Sequence, residues 1–514
     1  MKKIHQIYLI AILFSGVTAS CHDELNVEPH TFVSDDIYYK TESQIQSAVN
    51  GVYNKLQDLY NGGDGSLYAL TEMRADNTAF QYYDLDRGIQ QREEINDFLM
   101  TATNLYSRYT WDNLWNAIQQ SNVVIDHIDN ATYNNPDKKG QYEGEARFLR
   151  ALLYFHLVRL YGEIPLRDKA TSGPKDAFSD SKASVEELYS FIMADVDFAI
   201  GNLPAKYTGA DVGRATQGAA LTLQGEIYLT RHDYQNAVTS FNRVTAMGYE
   251  LMPDYADIFH PNYKNNVESI FEIQYSASLN RASNYIYQWG PRRGRAELIG
   301  VGGSGDIAGS NSPTLDIINA YEPGDERKDA SITYWVSDEN RTYQESFGPD
   351  MDSAAFINKF YHAGTYAIDG RADENWPVYR YGYVKLLLAE ALNEAGRGSE
   401  ALPLLNDVRR RAGLAGVSET DQTALREIIF KEERIEVAFE NHRWYQLLRT
   451  GRAIEIMTAH GNMEKARLQA AAARLQQVCH LSNDAYNIQP YKLLLPLPER
   501  ECRLNGFDNN PGWY

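Results

Sequence analysis

A fixed spacing of small and aromatic residues constrains this chain most. Gly225, Tyr228, Ala237 and Phe241 follow the tetratricopeptide pattern: a glycine, a tyrosine three later, an alanine nine after that, and an aromatic four further on. Small side chains at these points let two antiparallel helices approach closely. Ala389, Leu392, Ala401 and Leu405 repeat the spacing with weaker residue types. Hydropathy marks residues 106–161 and 422–457 as two more helix pairs. Such pairs cannot bury their apolar faces alone, so three or more stack to share one core. The spacing therefore predicts a mostly α protein with about four tetratricopeptide-like helix pairs.

Further helical stripes support this reading. Ile45, Val49, Val52, Leu56 and Leu59 recur at helical spacing. Helices are also predicted from Tyr106 to Ile128 and from Tyr142 to Tyr161, the second stopped by Gly162 and Pro165. From about residue 251 to 375 the periodicity fades into Gly, Pro, Asn and aromatics, an irregular, loop-rich lobe. A second irregular stretch runs from Thr71 to Thr101. Its Asp84, Asp86 and Gly88 do not complete a calcium loop, and Gly300 to Gly305 lacks the Lys-Ser/Thr of a phosphate loop.

The most charged helical stretch is Gln422 to Gly451. Leu425, Ile428, Ile429, Ile435 and Phe439 make an apolar stripe, with Glu433, Arg434, Glu436, Glu440, Arg443 and Arg449 crowded beside it. Paired carboxylates suit catalysis. Ion pairs and helix-end hydrogen bonds locking two helices suit the same residues, and helix faces usually carry charge for that purpose. The second reading is preferred. Here Glu436 and Glu440 lie one turn apart, as do Glu440 and Arg443, and a loop near Asn441 folds a second helix back on the first.

Taken together, Glu433, Arg434, Glu436, Glu440, Arg443, Trp444, Leu447, Arg449 and Gly451 resemble the signature of the SusD/RagB family, nutrient-binding lipoproteins of the Bacteroidetes outer membrane. Asn441 and Gln446 depart from the family's usual Gly and Asp. Other family-like motifs follow in order: Ala48, Gly51 and Tyr53; Glu145 to Ala151; Tyr161 to Pro165; Tyr379 to Ala391; Val408 to Leu414; and the closing Asn510-Pro-Gly-Trp-Tyr514, with Trp513 inserted. The resemblance covers nearly the whole chain. It implies one SusD-like domain over 21–514, with an N-terminal part to about 250 and a C-terminal RagB/SusD part over about 251–514.

Residues 1–20 read as an address. Lys2 and Lys3 precede a short apolar run, Ile7 to Phe14, too short to span a bilayer. Thr18-Ala19-Ser20-Cys21 resembles a bacterial lipoprotein processing site, with Cys21 lipidated. The alternative is an ordinary signal peptide cut near Ala19, which leaves Cys21 as an odd free thiol, a liability in an oxidising compartment. His22-Asp23-Glu24 resembles the surface-export signal of Bacteroidetes lipoproteins. The chain is thus expected on the outer membrane, lipid-anchored and facing the exterior. Cys479 and Cys502 leave a disulfide or two free thiols open.

The net charge of −20 argues against nucleic acid, whose phosphates need a basic face, and against broad binding to anionic lipid. No nucleophile elbow, HExxH, Walker or Rossmann motif occurs, and the 11 His show no metal spacing. No enzyme, cofactor or metal is expected. The resemblance implies a glycan-binding protein that captures oligosaccharides and delivers them to a SusC-like TonB-dependent transporter, which it caps. The alternatives are a RagB-like binder of peptides or other nutrients, and a lipid-anchored glycoside hydrolase.

Gripping a sugar without cutting it takes flat aromatic faces and planar hydrogen-bonding side chains, on loops held by a rigid frame. Two stretches qualify. One offers Asp76, Asn77, Tyr82 and Tyr83. The other offers Tyr285, Tyr287, Trp289 and Arg292, where the alternating rings would share one side of an extended segment as a platform. The competing reading is that these aromatics anchor their own loops.

Overall fold

Helix α1 (Glu42–Tyr60) begins at Thr41, whose side chain and that of Gln44 satisfy each other's backbone N–H groups in a capping box. Its expected stripe, Ile45, Val49, Val52, Leu56 and Leu59, is fully buried against α2 (Leu105–His127) and α3 (Asp137–Tyr161). These coordinates are a computed structural model describing residues 38–80, 90–173, 176, 178, 181–285, 289–290, 311–335, 354–362, 367–368, 371–475, 478–479 and 481–513. The leader, Cys21, Asp84, Asp86, Gly88 and the Gly300 to Gly305 run lie outside them.

From Gly144 to Tyr161 helix α3 is buried at every position but Arg147, because other helices cover it on several sides. It stops at Gly162 with φ 72°, a left-handed value that favours glycine. A side chain there would also meet Leu494 at 2.9 Å. Helix α4 (Val185–Asn202) opens with a Ser184–Glu187 capping box and packs between α3 and α5.

The two stretches with the repeat spacing each form a helix pair. Helices α5 (Gln217–Thr230) and α6 (Tyr234–Thr245) meet at Gly225, where a Cβ would stand 2.5 Å from the Phe241 ring. Helices α7 (Tyr381–Glu394) and α8 (Gly398–Arg411) bury Ala389, Leu392, Ala401 and Leu405. Helix α7 also packs on α6, which continues the stack.

The expected pair over 422–457 takes a different form. Helix α9 (Gln422–Glu436) packs on α7 and α8, while the short α10 (Arg443–Arg449) packs on α11 (Ala453–Leu475). The reason is the connection. Between α9 and α10 the chain turns sharply, with Phe439 and Asn441 at φ 69° and 70°. This explains why Asn441 can replace the usual glycine: asparagine is among the few residues that tolerate the left-handed region.

The lobe expected to be irregular contains short two-stranded ladders. Strand β2 (Ser269–Ile273) pairs with β8 (Trp376–Arg380), β1 (Thr78–Ala79) with β3 (Ser312–Pro313), β4 (Ile332–Trp335) with β5 (Ala354–Ile357), and β6 (Ala367–Ile368) with β7 (Arg371–Ala372), all antiparallel. Their paucity of alternation hid them from a period-two search. Near the C-terminus, α12 (Glu499–Asn505) precedes a docked end, where Trp513 donates to Leu494 O at 3.1 Å and packs edge-on against Tyr491. Cys479 and Cys502 are both free thiols. Among the described residues no helix is long and apolar enough to cross a membrane.

Candidate functional site

The carboxylates of the 422–451 stretch face ionic partners from distant elements. Arg380 donates to Glu436 at 2.6 Å, to Glu440 at 2.8 and 3.0 Å and to Glu268 at 3.0 Å. Arg327 reaches the other oxygen of Glu436 at 3.0 Å, and Lys359 reaches Glu440 at 2.7 Å. Arg411 closes the group by donating to both Glu268 and Glu436. All of these side chains are almost fully buried. Burial alone would raise the Glu436 carboxyl, but Arg411, Arg380 and Arg327 outweigh it and hold it well below the usual range. Glu440 is lowered likewise, by Arg380 and Lys359 against burial. Such carboxylates are locked as anions, unsuited to proton transfer and suited to holding β8, α8 and α9 together.

Two sequence expectations within this stretch are corrected. Glu440 does not pair with Arg443 across one helical turn, because α9 ends at Glu436 and the turn points Glu440 elsewhere. Arg443 instead makes a two-pronged bond to Asp76, at 2.7 and 2.9 Å. His442 packs at a tilt against Tyr383 at the start of α10, and burial lowers its pKa to about 4. It is a packing residue.

Asp76 and Asn77, chosen from sequence as sugar-reading side chains, are therefore structural. Asp76 is buried, and Arg434 and Arg443 hold its carboxyl far below the usual range despite burial. Asn77 accepts from Arg434 at 2.8 Å and donates to the buried Glu72 at 3.1 Å. Glu72 in turn accepts the N–H groups of Phe439 and Asn441, which fixes the α9–α10 turn. Burial pushes Glu72 up to about 7.

Tyr285 and Trp289 are also corrected: each is 1% exposed, so neither ring offers a face to solvent. Trp289 lies 4.6 Å from Tyr68, and Tyr285 packs against Tyr68, Phe360 and Trp376 at 4.8 to 5.3 Å. Arg92, also buried, covers Trp289 at 4.9 Å and bonds Asp64 at 2.9 Å. Gly62 admits this packing, since a Cβ there would stand 2.7 Å from the Tyr285 Cα. The alternation of rings misled because only the Gly/Pro-rich context, not burial, is visible in sequence. Tyr68 and Arg92, which build the cluster, carried no sequence signal beyond their residue types. Tyr82, Tyr83, Tyr287 and Arg292 lie outside the described residues.

These anchors have a geometric consequence. Strand pairing sets Ala79 opposite Ser312, next to the ends of segments 81–89 and 291–310. The contact of Arg92 with Trp289 brings the other two ends of those segments together. Asn311 and Thr314 tie the roots further, with Asn311 donating to Thr78 and Thr314 bonding Asp76 O and Asn77 O, all at 3.0 Å. The described flanks of both stretches selected for sugar contact thus meet on one buried base.

Comparison with known proteins places this geometry. Residues 267–513 match the model of the SusD family, and residues 32–229 match a family described as starch-binding, associating with outer membrane. SusD-like protein P2 of Formosa agariphila is 30% identical over 543 residues, covering all of both chains. The starch-binding protein SusD of Bacteroides thetaiotaomicron is 23% identical over 53% of this chain and 50% of that one. Among solved structures, a laminarin binding SusD-like protein superposes with a TM-score of 0.75 at 24% identity, over 92% of this chain and 100% of that one. Surface glycan-binding protein A from Bacteroides thetaiotaomicron gives 0.73 at 21%, over 92% and 100%.

Proposed function

The chain belongs to the SusD family, and from that premise we propose that it is a cell-surface glycan-binding lipoprotein without catalytic activity. It captures oligosaccharides and delivers them to a SusC-like TonB-dependent transporter. Relatives named for starch and laminarin support the ligand class. The observation that carries the reading within this molecule is the buried base shared by the described flanks of the two selected stretches, Ala79 and Arg92 on one side and Trp289 and Ser312 on the other. Rigid aromatic anchors hold the roots, and Tyr82, Tyr83, Tyr287 and Arg292 supply the ligand contacts. Asp76, Asn77, Tyr285 and Trp289 act beneath them, as supports. Loops on a stiff frame give the modest, quickly reversible affinity, about micromolar to millimolar, that a capture protein needs.

Cys21 is proposed as the lipid anchor. Cys21→Ala leaves a folded chain that is unprocessed or released from the membrane, and fractionation with lipid labelling reads this. A Cys21→Ala chain that stays lipid-labelled and surface-bound contradicts it.

Calorimetry on the soluble chain starting after Cys21, with laminarin, soluble starch and a mixed oligopeptide pool, tests the ligand class. Glycan binding without release of reducing ends supports the proposal. Binding of the peptides alone transfers the reading to a RagB-like peptide binder, and sugar release transfers it to a hydrolase. Tyr82→Ala or Tyr287→Ala weakens glycan binding by up to about tenfold, the size of one lost stacking contact.

A further inference from the structure

A second cleft opens on the opposite logic from the ion-pair core. It lies between α2, the segment 165–171 and α12, with a volume of about 520 Å³, within the range of small-ligand sites. Its wall is built to stay in place. The backbone of Arg167 to Lys169 is held from behind by Arg150, which donates to Asp168 O at 3.0 Å, and by Asn122, which donates to Arg167 O and Lys169 O at 3.0 Å. Tyr154 exchanges two bonds with Arg167, at 2.8 and 2.9 Å, and Gln119 accepts from Thr171 N at 2.9 Å. The floor holds Trp111 and Trp115, whose rings lie 5.6 Å apart, and Trp115 is set edge-on to Tyr154 at 5.7 Å.

Into this preformed space face two polar side chains. Asp112 and Asn116 lie one helical turn apart on α2, and both line the cleft. Neither makes a hydrogen bond or an ion pair among the described residues. The indole Nε1 of Trp115 is buried and has no acceptor among the described residues. Across the cleft stand Glu501 and Arg500 of α12, with Arg167 beside Trp115. Acidic and basic groups balance, so the cleft has no strong preference for anions or cations. An ionised carboxylate accepts from two neighbouring hydroxyls, an amide both donates and accepts, and an indole offers a flat apolar face.

We propose that this cleft is a second carbohydrate site, taking a short neutral oligosaccharide whose hydroxyls are read by Asp112 and Asn116 and whose C–H face lies on Trp115. Its lining shares no residue with the cluster of Tyr68, Arg92, Tyr285 and Trp289. It rests on the glycan-binding reading of the chain and adds a second position for the same ligand class. Burial raises the Asp112 carboxyl, with Arg500 and Arg108 opposing, and burial raises Glu501 in the same way. Sugar binding at the cleft therefore weakens on acidification, as the acceptors become protonated.

The test uses the full soluble chain labelled with 5-fluorotryptophan, with the Trp111 and Trp115 signals assigned through Trp111→Phe and Trp115→Phe. Laminarihexaose and maltohexaose are the probes. At least one is expected to shift both signals, and Asp112→Ala/Asn116→Ala is expected to weaken that shift at least tenfold. Neither side chain makes a hydrogen bond or an ion pair among the described residues, so the melting temperature of this variant is expected to stay close to the parent's, and the loss then reports the site. Glycan binding seen by calorimetry with unmoved Trp111 and Trp115 signals overturns the second site and leaves the first reading standing. A shift that survives in the double variant overturns the assigned contacts. A chain that binds neither sugar by either method overturns both readings for these glycans.

Discussion

Around Arg380, Glu268, Glu436 and Glu440 have both carboxylate oxygens partnered, whereas beside Trp115 the carboxylate of Asp112 and the amide of Asn116 have no hydrogen-bond partner among the described residues. Both regions set a carboxylate on a helix, Glu436 on α9 and Asp112 on α2. One places charge where α8, α9 and β8 converge, so each charge is consumed in holding the fold. The other places it along the lip of a cleft whose walls are pinned from behind. Residue type alone does not separate structural from functional charge. The distribution of partners does, and those partners lie up to hundreds of residues away in sequence, as Asp76 and Arg443 illustrate.

The contrast is broken most severely at its hub. Arg380→Met leaves Glu436, Glu440 and Glu268 short of a buried cation, and the expected cost is about 3–5 kcal/mol in urea unfolding. A cost below about 1 kcal/mol means that the network tolerates the loss. Trp289→Ala opens a void among Tyr68, Arg92 and the Gly62 backbone, and is expected to cost about 3–5 kcal/mol. A stable Trp289→Ala chain that loses sugar binding restores the platform reading.

Next comes Gly225→Leu, which drives a side chain into the Phe241 ring at the α5–α6 contact. The expected cost is about 1–3 kcal/mol, seen as a lower melting temperature. An unchanged melting temperature shows that the two helices do not meet there.

The smallest expected effect concerns pH. Glu72, raised to about 7 by burial, takes up a proton in the folded chain before the unfolded one does. Its contribution to stability thus grows as pH falls from about 7 towards 4.5. Glu436 and Glu440 have the opposite sign. Their carboxyls lie below the ordinary value, so their contribution is full above it and is lost as pH falls through their lower folded values. Glu72 thus gives a rise as pH falls, which His442, lowered by burial to about 4, opposes below its ordinary value, and the loss from Glu436 and Glu440 follows at lower pH. Urea midpoints between pH 8 and pH 3 check this, and Glu72→Gln should blunt the rise.

Much of the helical frame was legible in sequence, because its signals are local. The stripe of Ile45 to Leu59, the Gly162 stop and the Gly225–Phe241 approach each follow from spacing or from one residue's shape. The structural reading of the 422–451 charges was also right in kind, but its partners were not. Arg327, Arg380 and Arg411 come from elements that periodicity cannot bring together. At the candidate site the limit was burial. Tyr285 and Trp289 sit in a Gly/Pro-rich context that reads as surface, and nothing in their neighbours reveals Tyr68 and Arg92 closing over them. The cleft at Trp115 was missed for the converse reason. Trp111 and Trp115 fit a helical core stripe, and only the third dimension shows Asp112 and Asn116 lacking hydrogen-bond partners among the described residues.

The most direct measurement is a paired one: urea unfolding of Glu436→Ala and Asp112→Ala at neutral pH, read against the parent chain. Both remove one helical carboxylate. Glu436→Ala is expected to cost about 3–5 kcal/mol, since it leaves buried cations unpaired, and Asp112→Ala to lie within about 0.5 kcal/mol of the parent. Equal costs, or a larger cost for Asp112→Ala, contradict the division between charges that hold the fold and charges kept for a ligand.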